Sequence, residues 1–444
     1  MKTKLLIAFG KVLCFFGKLL GRGSSLPGKI LLKFDPQFLS KLTIPGDVIA
    51  VTGSSGKGST TKMIASILRK NGYTVAHNES GSNLDAGILT MLLQYANFKG
   101  IVKADYFVLE IDERYTKYVF PQIHPKYVVI TNITRDQPPR QGHFDQVFRE
   151  IEKALDSNMH LILNADDPYL QKFENHGCQI TYYGIGKNKY VTKEPKFENL
   201  NITHCPVCHK KLHYQSYLFE TLGHYDCYCK QFSRPKPTYE VTKLNFEKEK
   251  MTINQKYDLI VKPGLLYQTY NLLAAFSILS MLLHQEKKIT EQMNEITQQT
   301  KVENIFALGK RTVHILNNKN ENSTTFNQSI FYTTRFKGQK TIVIGWKEIS
   351  RRYQYNDVSW LYDISFEQLN DKNLEKVVCI GVNRYDIAVR MKYAGIEEKK
   401  IITFETIEEA TPYLKKKTKG DLFAILNFDY VKPLSNALKG SDEE

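Results

Sequence analysis

The sequence predicts an α/β protein. It has a phosphate-binding (P-loop) central domain, a cysteine-rich zinc-ribbon insertion and a smaller C-terminal α/β domain. Three observations carry this. A glycine-rich turn, Gly53-Ser54-Ser55-Gly56-Lys57-Gly58, lies between an apolar run and a segment with helical spacing. Strand-like runs ending in polar residues alternate with helical segments on either side of residue 300. Two close cysteine pairs interrupt the first of these series.

A chain of 444 residues with 42% hydrophobic residues has room for two or three domains and a sizeable core. Its formal net charge of +15 suits an anionic partner such as a nucleotide or a membrane surface. A solvated basic surface with no specific partner fits the charge as well. No basic run is interleaved with aromatic residues, so no nucleic acid is expected as a partner. The cysteine spacing reads as a metal pattern rather than a disulfide framework, which points to a reducing, cytoplasmic setting.

Residues 1–45 read as an N-terminal leader helix and turn. Lys4, Lys11 and Lys18 interrupt its apolar runs, so it is too broken to span a bilayer. An amphipathic helix fits better, lying on the protein or, as a peripheral contact, on the inner membrane face. The central domain is expected over residues 46–300. Val48–Val51 is its first buried strand, and Lys62–Arg69 has the apolar spacing of the following helix. Between them the glycines let backbone N–H groups approach phosphate oxygens, and the helix N-terminus adds partial positive charge. Lys57 is placed to reach outer phosphates, and a hydroxyl of Ser59, Thr60 or Thr61 to hold magnesium.

Tyr106–Glu110, Tyr127–Asn132 and Leu161–Asn164 are the next strands. Ligands bind beyond the C-terminal ends of parallel strands, so Glu110, Asp112, Asn132 and Asn164 are expected along one cleft. The insertion is expected at about residues 200–236. There Cys205, Cys208, Cys227 and Cys229 supply four thiolates, enough to close a tetrahedral structural zinc site. His204, His209 and His224 are nearby alternatives for one ligand. The sheet resumes near Tyr239, and Tyr270–Leu279 reads as a helix. The Asn- and Thr-rich stretch 317–328 reads as a loop. The C-terminal domain, residues 301–444, continues with strands at Thr341–Gly345, Val377–Gly381 and Leu422–Leu426.

The loop spacing, Gly-x-x-Gly-Lys-Gly-Ser-Thr, is similar to that of Mur ligases and folylpolyglutamate synthases. These enzymes use ATP to activate a carboxylate as an acyl phosphate. Several further stretches resemble the MurT family, the Mur-ligase-like subunits of lipid II isoglutaminyl synthases. They are Gly21–Gly28, Glu110–Glu113, Thr131–Gln137, Asn164–Pro168, the cysteine-rich insertion and Asp357–Asp363. The resemblance implies ATP-dependent amidation of the D-glutamate α-carboxyl of lipid II, with ammonia from a GatD-like glutaminase partner.

By matching motifs, Gly53, Gly56, Lys57, Gly58 and Ser59 or Thr60 would hold ATP and Mg2+. Glu110 would be a second magnesium anchor, Asn271 would contact adenine, and Arg311 would face the phosphates. Asp357 would complete the partner's Cys–His pair as a triad.

Plainer roles stand beside these: a strand-end ion pair for Glu110, a helix cap for Asp357, and solvated polar groups for Asn271 and Arg311. The chain also departs from the family pattern. Gly58 follows the lysine where the family has threonine. Pro138–His143 replaces Met-Asp-Arg-Phe-Gly-Glu. Asn317–Glu321 stands near the place of a missing Lys-Asn-Pro-x-Gly, and Lys310 is extra. A stand-alone amino-acid ligase and a non-catalytic zinc-containing scaffold therefore remain as alternatives.

Overall fold

The computed structural model describes residues 2–19, 25–78, 82–134, 144–197, 204–299, 304–318, 322–346 and 357–440. The stretches Gly21–Ser24, Arg135–Gln137, Pro138–His143 and 319–321 of the sequence comparison lie outside these residues.

The central sheet has nine strands. In chain order they are β1 (Asp47–Thr52), β2 (Val75–His77), β3 (Tyr106–Glu110), β4 (Tyr127–Ile130), β5 (His160–Asn164) and β6 (Gln179–Ile185). After the insertion come β9 (Tyr239–Asn245), β10 (Lys250–Ile253) and β11 (Tyr257–Ile260). They lie in the order β11-β10-β9-β6-β5-β4-β1-β3-β2. Pairing is parallel from β2 to β9, while β10 runs antiparallel to both β9 and β11.

Continuous apolar runs form these strands because both faces of the sheet are covered. Ile49, Val51, Val108, Val129 and Ile162 point into one core with α3 (Lys57–Lys70) and the helix Leu266–Leu283. Val48, Ala50, Phe107, Leu109, Val128, Ile130, Leu161 and Leu163 point into the other. That second layer is closed by α1 (Lys2–Leu19), α2 (Leu26–Phe34), α4 (Asp85–Tyr95) and the helices Thr116–Ile123 and Phe144–Glu152. The N-terminal helix thus packs on the protein, with Ile7 and Cys14 turned inward. Among the described residues, Leu266–Leu283 is the one helix long and apolar enough to cross a membrane, yet most of it is buried in the core.

The chain leaves the sheet after Ile185 and rejoins it at Tyr239. The excursion contains an antiparallel hairpin, β7 (His213–Phe219) and β8 (Leu222–Asp226), and the cysteine pairs.

The second sheet is built from β12 (Ile305–Leu308), β13 (Arg311–Asn318), β14 (Lys340–Gly345), β15 (Leu374–Ile380), β16 (Ile401–Phe404) and β17 (Asp421–Asn427). Their order is β12-β13-β17-β14-β15-β16, parallel except for β12 against β13.

The loop expected over 317–328 is a strand end followed by the start of a helix, Ser323–Thr334. Asn322 caps that helix, its side chain accepting the Thr325 N–H at 2.9 Å. Asn318 and Ser329 are bonded at 2.7 Å, and Asn327 is buried among partners. Asn318, Asn327 and Ser329 are tolerated inside because they find hydrogen bonds, which composition alone does not reveal, whereas Gln328 is buried with no hydrogen bond among the described residues.

Candidate active site

The phosphate turn follows β1 directly and is stitched to the end of β4. Ser54 N–H donates to Asn132 O (2.9 Å), and Ser55 N–H to Asn132 Oδ1 (3.0 Å). Thr131 Oγ1 donates to Ser55 O (2.7 Å), while Ser54 Oγ accepts from Thr134 N–H (2.9 Å). The loop is therefore held by its neighbouring strand before any ligand arrives.

Gly56 caps α3 in the left-handed region, at φ +85°, and offers no side chain to its first N–H groups. A Cβ there would stand 2.2 Å from Asn271 Oδ1. Glycine is thus required twice, by conformation and by the approach of the helix Leu266–Leu283. Asn271 lies against the phosphate turn itself.

Lys57 is buried at the head of α3. Its Nζ donates to Gly53 O and forms an ion pair with Glu113 Oε2 at 3.2 Å. Glu113 lies in the acidic stretch Glu110–Glu113, where spacing assigns it no role. Its pairing depends on β3 lying beside β1, which sequence spacing does not show. Asp112, expected in the cleft, turns to Arg114 in a bidentate pair at 2.9 Å. Burial pushes its carboxyl up, but the Arg114 hydrogen bonds and charge outweigh this and hold it below the usual range.

Glu110 faces the loop from the end of β3: a Cβ on Gly58 would lie 3.2 Å from its Oε2. The position that lacks a hydroxyl therefore borders this carboxylate. Of the three candidate hydroxyls, Thr61 donates back to Lys57 O and Gly58 O, Thr60 is buried without a hydrogen-bond partner, and Ser59 is exposed.

Beyond the loop, Thr131, Asn132, Thr134, Asn164, Asp167, Glu220, Tyr267 and Tyr270 line a recess. Burial raises the Asp167 carboxyl to about 7, although it accepts the Tyr169 N–H at 2.9 Å. Next to it, Asp166 is structural, pairing with Arg234 (2.7 Å) and accepting the Tyr270 hydroxyl (2.8 Å). Thr131, Asp167 and Tyr270 stand in stretches legible in the sequence, whereas Glu220 joins them only through the hairpin turn.

The Arg311 guanidinium is turned into its own domain, donating to Gly420 O, Leu414 O (2.9 Å) and Thr418 O (3.2 Å). Arg311 is thus anchored on carbonyls of its own domain. Asp357 stands on the C-terminal domain, where its Oδ1 accepts the Ser359 N–H (2.9 Å) at the start of a 3-10 turn.

The four cysteines converge. Their Sγ atoms all lie within 4.8 Å of one another, with Cys205–Cys229 at 3.8 Å and Cys208–Cys227 at 3.3 Å. A tetrahedral ion with Zn–S of about 2.3 Å requires sulfur separations of roughly this size. Left-handed His209 and Lys230 turn the chain sharply after each pair. The backbone N–H of Lys210 and the Cys227 hydrogen bond draw the Cys208 thiol down, while against the backbone bond at Cys229, burial and the Cys208 hydrogen bond push the Cys227 thiol up. His224 is engaged with Ile185 O at 3.0 Å.

Residues 51–228 match the Mur ligase middle domain, and residues 320–430 match the MurT ligase C-terminal family. The subunit MurT of lipid II isoglutaminyl synthase (glutamine-hydrolyzing) from Staphylococcus aureus strain COL is 29% identical over 426 residues, 95% of this chain and 94% of the relative. The Streptococcus pneumoniae R6 subunit is 29% identical over 92% of this chain and 91% of its own. Among solved structures, a pseudomurein peptide ligase type C from Methanothermus fervidus superimposes with a TM-score of 0.68. It is 21% identical, with 93% of this chain and 84% of the ligase covered. MurF from Thermotoga maritima in complex with ADP gives 0.58 at 18% identity, covering 93% and 84%. Residues 51–228 are thus similar to a Mur ligase middle domain and residues 320–430 to a MurT ligase C-terminal domain, on a Mur ligase fold shared along nearly the whole length.

Proposed function

We propose that this protein is the ATP-dependent ligase subunit that amidates the D-glutamate α-carboxyl of lipid II to D-isoglutamine in peptidoglycan synthesis. The carrying observation is the phosphate turn around buried Lys57, set in a chain that aligns end to end with subunits named for this activity.

The residues present fit a nucleoside triphosphate and a divalent cation. Uncapped N–H groups head α3, and Lys57 is reachable by a phosphate that replaces its Glu113 partner. Bound ATP supplies the phosphoryl group that converts the carboxylate into an acyl phosphate. Gly53, Gly56 and Gly58 let the backbone close on the phosphates, and Lys57 balances their charge. Glu110, with Ser59 or Thr60, would hold Mg2+, and Asn271 would orient the base side of the nucleotide. Ammonia then attacks the acyl carbon, the phosphate leaves with the bonding electrons, and the ammonium proton passes to solvent or phosphate.

Ammonia comes from a GatD-like glutaminase. Its docking face is the exposed aromatic patch of Tyr362, Tyr385, Val389 and Tyr393, close in sequence and fold to Asp357. Asp357 orients the partner's histidine. The four thiolates hold a structural zinc, since a closed set of protein ligands leaves no open position. The enzyme works at the inner face of the membrane, where its lipid-linked substrate resides.

The test is amidation of lipid II by the copurified complex, read as conversion of acid to amide by mass spectrometry. Lys57→Ala is expected to lower turnover by about 10²–10³-fold. Asp357→Ala should abolish glutamine-dependent amidation and leave ammonium-dependent amidation intact. Lys57→Ala turnover equal to wild type would overturn the reading. The scaffold alternative draws on Gly58 and on the inward-turned Arg311, and it predicts no ATP turnover in either protein.

A further inference from the structure

Helix α1 has two apolar faces. Ile7, Gly10, Cys14 and Gly17 are buried against the body of the protein, where α1 meets α2 and α4. Leu5, Phe9, Val12, Phe16 and Leu19 recur at alternating four- and three-residue steps and form a stripe along the opposite side. They are 44–68% exposed, and Phe15 widens the stripe. On the adjoining α2, Leu26 and Phe34 are also exposed. A helix that only packed on the protein would carry polar residues on its outer side.

Along residues 1–34 the sequence carries charge of one sign. Residues 1–34 contain no Asp or Glu, whereas Lys2, Lys4, Lys11, Lys18, Arg22, Lys29 and Lys33 all fall there. Lys4, Lys29 and Lys33 are exposed. Lys11 is held by Leu93 O (3.1 Å) and Ala96 O at the end of α4 and lies over the Phe98 ring. The nearest acidic residue in sequence, Asp35, is paired with Lys41.

We propose that this face is an in-plane docking surface for an anionic phospholipid membrane. The charge complementarity selects the occupant. Large apolar side chains enter the headgroup–acyl boundary while flanking lysines meet anionic headgroups. α1 lies along the surface and does not cross it, because its lysines recur at every second turn.

The geometry also orients the catalytic cleft. α1 and α2 rest on α4, which begins at Asp85. Two residues earlier, Asn83 donates to Glu110 Oε1 at 3.4 Å. Docking would therefore hold the carboxylate-lined end of the cleft at a set height above the membrane. The membrane surface stands on the N-terminal residues alone. Only its use in presenting a lipid-linked substrate rests on the amidation reading.

The experiment is sedimentation of the full chain, with any subunit that copurifies, on vesicles. Vesicles of phosphatidylglycerol with phosphatidylcholine are compared with phosphatidylcholine alone, at low and high salt, without nucleotide or substrate. Wild type is expected to pellet with the anionic vesicles and to be released by salt. Phe9→Asp/Phe16→Asp should reduce binding at least tenfold with an unchanged melting curve. Lys29→Glu/Lys33→Glu should reduce it on the order of fivefold per lysine. This second pair keeps the test alive if the first variant misfolds. The proposal fails if wild type stays in the supernatant or if the variants pellet equally. It also fails if the Phe variant keeps vesicle binding but loses a subunit or changes mass, which would make the face a protein interface. Amidation measured separately with a soluble substrate distinguishes this failure from that of the ligase reading.

Discussion

Lys57 is held in place by groups that a phosphate would displace. With Glu113 at 3.2 Å and Gly53 O accepting from it, the ammonium keeps a partner in a site where an unpaired charge would cost several kcal/mol. Gly56 shows the same precision in the backbone. Gly56→Ala would place a methyl 2.2 Å from Asn271 Oδ1 at a φ of +85°. It is expected to cost about 1–3 kcal/mol of stability and to weaken ATP binding at least tenfold, by melting and calorimetry.

Asp167 makes a pH-dependent contribution. Burial raises its folded pKa from 3.8 to about 7. The folded state keeps a proton that the unfolded state releases, so this contribution is full below about pH 4 and is lost as pH rises towards 7. Asp167→Asn should flatten that part of the stability profile, by up to a few kcal/mol in urea midpoints measured across pH 4–8.

At the scale of elements, the insertion depends on its thiols. Its own core is small, with Leu212, Tyr225 and Phe232 packed around Cys205 and Cys227. So little apolar surface does not order a loop-rich segment unaided. Cys208→Ser is therefore expected to cut bound zinc from about one ion per chain to near zero. It should also expose the hairpin to proteolysis, measured by metal analysis and limited digestion. The hairpin is tied to the central domain through Tyr225, which donates to Gln171 Oε1 at 3.0 Å. Loosening it should also disturb the recess lined by Glu220 and Thr221.

Across the whole molecule, buried contacts join the insertion to the C-terminal domain, among them a hydrogen bond to Glu220 and the packing of Phe197 and Phe219 on Phe331. Glu220, in the hairpin turn, accepts from Asn327 Nδ2 at 2.9 Å. Asn327 in turn accepts the Ser365 N–H at 2.8 Å and donates to Asp363 O at 3.3 Å, in the segment that follows Asp357. One side chain thus couples the recess, the second sheet and the Asp357 segment. Asn327→Ala would remove a charge-assisted bond from a buried carboxylate. It is expected to destabilise the protein by about 2–4 kcal/mol in urea unfolding and to raise KM for ATP more than it lowers kcat. The neutral exchange Glu220→Gln should be milder.

Much of this was legible in sequence wherever the information is local. Val48–Val51, the glycine turn and the start of α3 are consecutive, so their order dictates strand, loop and helix. The spacing of the cysteine pairs predicts a metal site, and the four thiols do converge as such a site would need. The tertiary structure decided what distant residues do to one another. Glu113 meets Lys57 because β3 lies beside β1, and Arg311 turns inward because carbonyls of Leu414, Thr418 and Gly420 surround it. Ser323–Thr334 became a largely buried helix because Phe326 and Ile330 pack in the core while Asn327 and Ser329 find partners. Periodicity showed that α1 has apolar faces, but only packing showed which one is buried and which is left outside. Propensity and spacing act between neighbours in the chain, whereas burial and charge pairing are settled by neighbours in space.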